Sequence, residues 1–144
     1  MRALVLIGCA ALALSACATA TDDRPFDSAS CYEREFNVYF DGLSTDVSPE
    51  AREVIDAMGN NLRGCYIESV RVVGAADAQA SAVTNEAVSE RRAVAIADYL
   101  ARRLGWPRDR MAMAALGERG AVTDEGLAVP MRHRARVTVV ARAP

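Results

Sequence analysis

The stretch from Gly74 to Ala93 constrains this chain more than any other. It begins where an alternating apolar segment stops, crosses a polar turn, and enters the longest segment of helical period. Inside that helix Arg92 falls between Val88 and Ile96, within the apolar stripe. An arginine there requires an anionic partner, because an unpaired charge removed from water is expensive. Asp77 follows the carboxyl end of the preceding strand, where ligands gather in α/β folds. Asn85 and Arg92 share a helical face about two turns apart, and Ser89 lies toward its edge. One corner thus collects a carboxylate, an amide and a guanidinium. Such a set suits a zwitterion, the arginine gripping a carboxylate and the aspartate an ammonium. A structural Arg92–Asp77 salt bridge with no ligand fits the same residues.

The remaining pattern frames this corner. Phe36, Val38 and Phe40 alternate with Asn37 and Tyr39, as in a half-buried strand. Ser48-Pro49 opens a helix, the serine as cap and the proline in the first turn. Ala51, Val54, Ile55, Met58 and Leu62 recur at helical spacing, and Gly64 ends it. Ile67–Val73 is a second strand. A second helix is expected from Thr84 or Asn85 to Leu104, with a core stripe of Val88, Ile96, Tyr99, Leu100 and Leu104 and a lean flank of Ala93 and Ala97. Met111–Leu116 is a weaker strand. A glycine-marked loop follows through Gly117, Gly120 and Gly126. In the last strand, His133–Ala141, the alanines and valines at 135, 137, 139 and 141 face one way. Arg134 and Arg136 share the other, more solvated side. The order strand-helix-strand-helix-strand-strand predicts an α/β domain of the two-layer α+β kind, helices packed on a mixed sheet.

Ahead of the domain, Met1-Arg2 and the apolar run Ala3–Ala16 read as a secretory signal, residues 1–16, too short to span a membrane. Leu14-Ser15-Ala16-Cys17 resembles the lipobox of bacterial lipoproteins. That resemblance implies cleavage before Cys17 and a diacylglyceryl thioether on it. Ala18 in place of an aspartate resembles the sorting pattern for the outer membrane. Residues 17–32 are then a lipidated N-terminus and tether. The thirteen period-free residues Ala18–Ser30 reach at most about 45 Å. Cys9 leaves with the signal and Cys17 carries lipid, so Cys31 and Cys65 remain in an oxidising compartment. Each precedes a strand. If those strands are parallel, the two cysteines meet at one sheet edge and a disulfide is expected.

The formal charge of −2 becomes −3 once Arg2 is removed with the leader, and no basic tail appears, so a nucleic-acid partner is not expected. His133 is the only histidine and reads as an exposed structural residue among arginines. Glu86 and Glu90 share a helix face but fit an acidic first turn better than a catalytic pair. No catalytic residue, metal or cofactor is expected.

Gly74-Ala75-Ala76-Asp77 followed by Asn85-Glu86-Ala87-Val88-Ser89-Glu90-Arg91-Arg92-Ala93 resembles the OmpA-like peptidoglycan-binding domain, whose members read Gly-His-Thr-Asp and then Asn-x-x-Leu-Ser-x-x-Arg-Ala. The likeness extends from Phe36 to Val137, within a domain placed at residues 33–144. It implies the OmpA-C-like β-α-β-α-β-β fold. It also implies noncovalent binding of a diaminopimelate-containing stem peptide of peptidoglycan, Asp77 and Arg92 meeting its charged ends, with Asn85, Ser89 and Arg134 as further ligand residues. With the acyl chains of Cys17 in the outer-membrane lipid, the periplasmic domain would tether that membrane to the wall. The sequence departs from the family at Ala75 and Ala76, which replace the histidine and threonine. It departs again at Arg134-Ala135-Arg136-Val137, which stands for Asn-Arg-Arg-Val. The alternative expectation is the same fold with a degenerate ligand site, serving as a structural or interaction subunit for envelope proteins.

Overall fold

The alternating and helical segments form four strands and two helices in a computed structural model that describes residues 25–77, 80–119, 121 and 133–144. The strands are β1 (Arg34–Tyr39), β2 (Tyr66–Gly74), β3 (Met111–Ala115) and β4 (Arg134–Arg142), and the helices are α1 (Pro49–Asn61) and α2 (Ala82–Leu104). They make one sheet in the order β1-β4-β2-β3. β4 runs antiparallel to both neighbours and β2 runs parallel to β3, so the sheet is mixed. The nine-residue strands β2 and β4 hold the centre, and the short strands β1 and β3 form the edges, which limits the unpaired backbone on offer to other chains. The helices pack on this sheet in the α+β arrangement the element order predicts.

Because β1 and β2 are each antiparallel to β4, they run the same way and start at the same end. This brings Cys31 and Cys65 together in a disulfide with a Cα–Cα distance of 5.6 Å. The expected tether is partly folded. Asp27 caps a 3₁₀ turn at Ser28–Ser30, with its Oδ1 accepting from the Ala29 N–H at 2.9 Å. Residues 1–24, with the expected signal and lipid site, lie outside the described residues, as does most of the loop expected between Gly117 and Met131.

Local chemistry sets the element ends. Ser48 Oγ accepts from the Ala51 N–H at 3.2 Å, and Pro49 stands in the first turn of α1. α2 begins earlier than its apolar period suggests. Ser81 is the cap, accepting from the Thr84 N–H at 3.2 Å, and a cap hydroxyl satisfies an otherwise orphaned donor regardless of where the stripe begins. At the far end Gly105 sits at φ 68°, and its N–H bonds the Ala101 carbonyl at 3.1 Å, closing the helix in a left-handed turn that favours glycine.

The core joins Val70, Val72, Val137 and Val139 of the central strands to Ile96 and Leu100 of α2 and Ile55 of α1. Ala93 and Ala97, expected as a flank, are fully buried, whereas Tyr99 and Leu104 only pack partly against the core. Small side chains let α2 lie close to the sheet. Gly74 continues that contact: a β-carbon there would overlap the Ser89 carbonyl oxygen. Helix and sheet therefore approach closely at the end of β2, where Asp77 follows.

Candidate functional site

α2 crosses the end of β2 with Asn85, Ser89 and Arg92 on its sheet-facing side, and all three are fully buried. Arg92 is the largest fully buried side chain of the described residues. Its Nε donates to the Ser44 carbonyl at 2.9 Å, Nη1 to the Ala75 carbonyl at 2.9 Å, and Nη2 to the Gly42 carbonyl. The guanidinium carbon lies 4.9 Å from the centroid of the Phe40 ring. Arg92 thus ties the loop after β1 and the turn after β2 to the helix. The sequence called for an anion, and the fold supplies three main-chain carbonyls as well as the field of Asp77. Burial pushes the Arg92 pKa below its ordinary value, and the Asp77 carboxylate acts in the opposite direction. A guanidinium has five N–H groups, so these three bonds leave one on each terminal nitrogen.

Asp77 holds two different oxygens. Oδ2 faces His133 Nδ1 at 3.7 Å, while Oδ1 is buried with no hydrogen-bond partner among the described residues. Asn85 repeats the theme. Its Nδ2 donates to the Ala80 carbonyl at 3.0 Å and to Glu118 Oε2 at 2.6 Å, and its Oδ1 is buried without a donor among the described residues. Buried acceptors left unpaired cost free energy, and the corner carries two of them. Ser89 is satisfied locally: its hydroxyl donates to the Glu86 carbonyl at 2.8 Å and accepts from the Gly117 N–H at 2.9 Å. It fixes the start of the loop after β3, as does the Ala76 N–H bond to the Gly117 carbonyl at 2.8 Å.

The structure therefore gathers Asp77, Asn85, Ser89 and Arg92 at one corner. Arg134 joins through its backbone, its carbonyl accepting from the Ala75 N–H at 2.8 Å. Its side chain alternates with the fully buried Ala135 and so leaves from the opposite face of the sheet. Ala75 and Ala76, which stand in place of the histidine and threonine, are both buried.

Two residues at the corner were not singled out as site residues by their sequence context. Glu118 reaches Asn85 from beyond β3. His133, read as an exposed structural residue, is instead held beside Asp77 with its side chain 31% exposed. The pairing of Gly74 with Ala135 explains this, since the next residues along each strand bring Ala76 and Asp77 toward His133. The signal was a lone histidine just before the last strand, but its neighbour depends on strand order, which periodicity does not contain. Among the described residues there is no group of acidic, histidine or cysteine side chains able to hold a metal ion.

The OmpA family matches residues 39–135, which include both halves of this corner. The chain belongs to the OmpA family. Solved structures with this OmpA fold include the OmpA-like domain of FopA1 from Francisella tularensis, 23% identical over 78% of this chain and 73% of that one, with a TM-score of 0.61. The cell wall anchor of the T6SS from Pseudomonas aeruginosa is 23% identical, covers 77% of this chain and 83% of its own, and has a TM-score of 0.59. The peptidoglycan-associated lipoprotein from Burkholderia pseudomallei is 22% identical over 72% and 88% of the two chains, with a TM-score of 0.56. No individual curated protein matches the sequence.

Proposed function

We propose that this OmpA-family domain is a non-catalytic peptidoglycan-binding module, anchored in the outer membrane by lipid on Cys17 and reaching the wall through the corner of Asp77, Asn85 and Arg92. The observation that carries the reading is the buried Oδ1 of Asp77, unpartnered among the described residues, next to a buried arginine. An ammonium satisfies that oxygen with a charge-assisted bond, and Asn85 Oδ1 offers a second acceptor. The one N–H remaining on each terminal nitrogen of Arg92 suits a carboxylate that reaches the buried guanidinium. A ligand with both charges on one short carbon chain, as in diaminopimelate, answers both needs. Two structural neighbours, a peptidoglycan-associated lipoprotein and a cell wall anchor, support the same reading through the shared fold.

Pull-down with isolated sacculi tests it. The mature chain is expected to sediment with them at moderate salt. Asp77→Asn keeps shape and removes charge, and should weaken retention by about 10-fold or more, the scale of one charge-assisted bond. A mature chain that stays in the supernatant sinks the reading.

A second reading has its own observation. Arg92 is sealed from solvent and bonded to carbonyls, as expected if the corner is structural and the domain instead binds envelope proteins. Specific capture of an envelope protein without sacculus binding selects that alternative.

A further inference from the structure

The two ends of β2 differ in character. Asp77 and the ligand corner lie beyond Gly74. At the other end, about 30 Å away along nine residues of strand, lies a cleft of about 580 Å³. Arg63, Arg103 and Arg110 line it against a single acid, Asp56, in a chain whose overall charge is −2. The charges are held in place. Arg103 Nε lies 3.2 Å from Asp56 Oδ2, Arg63 Nη2 donates to Asn60 Oδ1 at 2.7 Å, and Arg110 Nη1 donates to the Ile67 carbonyl at 2.6 Å. Tyr66 sits between two guanidinium groups, with Arg110 4.4 Å and Arg142 4.2 Å from its ring centroid. Exposed aromatic surface comes from Phe26 and Tyr66.

The chain enters the fold at this same end. Cys65 lines the cleft and is bonded to Cys31, and Phe26 lies beside Gly64. Only seven residues, Ala18–Arg24, separate Cys17 from Pro25, a reach of about 28 Å at full extension. A leash that short, fixed at this end, keeps the arginine cleft toward the bilayer and the ligand corner away from it. Basic and aromatic side chains held at a membrane surface interact with anionic headgroups.

We propose that this end of the domain is a second binding surface, which docks on the anionic phospholipid headgroups of the membrane in which the chain is anchored. The orientation rests on the lipid-anchor part of the proposed function; the surface chemistry does not. Docking would hold the wall-binding corner pointing away from the membrane into the periplasm.

Vesicle flotation with the chain from Ala18 to Pro144 isolates the surface from the acyl chains. Phosphatidylglycerol-containing vesicles should carry the protein, phosphatidylcholine vesicles should not, and high salt should release it. Arg63→Glu/Arg103→Glu should weaken flotation by at least about 25-fold, since each lost arginine near an anionic surface is worth about fivefold. Arg71→Glu/Arg136→Glu, on exposed positions of the sheet, changes the net charge equally and should weaken it far less. Sacculus retention should be the same for the Arg63/Arg103 variant and the parent. Equal flotation with both lipids, or equal loss in both double variants, overturns the proposal. Metabolic labelling with palmitate reports on the anchor separately, and failed sacculus binding with intact flotation would strike only the wall-binding reading.

Discussion

Arg92 shows how a residue can be conspicuous in the sequence while its partners are not. Its position in an apolar stripe announces a partner, yet its observed bonds are to the carbonyls of Gly42, Ser44 and Ala75, none of which a sequence can place. Removing the side chain leaves the buried Ala75 carbonyl without its donor and unties the loop carbonyls of Gly42 and Ser44 from the helix. Arg92→Ala is therefore expected to cost about 3–5 kcal/mol of folding free energy, the scale for breaking a buried charged network. Denaturant unfolding measures it, and a loss below 1 kcal/mol would contradict the staple role. Arg92→Lys should recover only part, since one ammonium cannot copy a fork of fixed donors. Binding assays on either variant are informative only beside that stability measurement. Of the candidate residues, Asp77, Asn85, Ser89 and Arg92 were legible because they lie close in sequence around one strand-to-helix turn. His133 and Glu118 were not, because tertiary structure alone brings them to Asp77 and Asn85.

Among the elements, α2 positions the corner, and its approach to β2 depends on a missing side chain. Gly74→Ala would drive a β-carbon into the main chain of α2 at Ser89, which cannot rotate away as a side-chain tip would. A destabilisation of about 2–3 kcal/mol is expected, with a lower midpoint in urea. An unchanged midpoint would mean that the helix shifts at little cost. The start of α1 gives a pH signature. Glu50 sits in its first turn, where backbone and Ser48 hydrogen bonds hold its carboxyl below the usual value of 4.5. A carboxyl depressed by folding adds stability above its unfolded pKa and loses it as pH falls through the folded one. The contribution should be complete at neutral pH and fade below about pH 4.5. Glu50→Gln removes that part of the acid dependence; identical stability-versus-pH curves for variant and parent would disprove it. The element types were legible from period and caps. The start of α2 was misplaced because Ser81 caps a turn whose one large apolar residue, Val83, is exposed and lies off the buried stripe.

At the scale of the whole fold, the described residues form a short sheet pinned by a disulfide at one end and carrying a polar corner at the other. The Cys31–Cys65 bond joins residues 34 apart, and closing such a loop in the unfolded chain contributes about 4 kcal/mol in the chain-entropy account. Cys31→Ser/Cys65→Ser should lower the melting temperature by several degrees, and reductant should do the same to the parent but nothing to the variant. A variant as stable as the parent would show that the strands alone set this end. The sequence by itself determined the elements, the mixed two-layer fold and a corner of clustered polar residues, because the periods of helix and strand and the caps are local properties. Only the tertiary structure decided that β4 lies between β1 and β2, that His133 meets Asp77, and that carbonyls receive Arg92. Those contacts join residues far apart in the chain, and they follow from strand order and close helix packing rather than from any repeat a sequence displays.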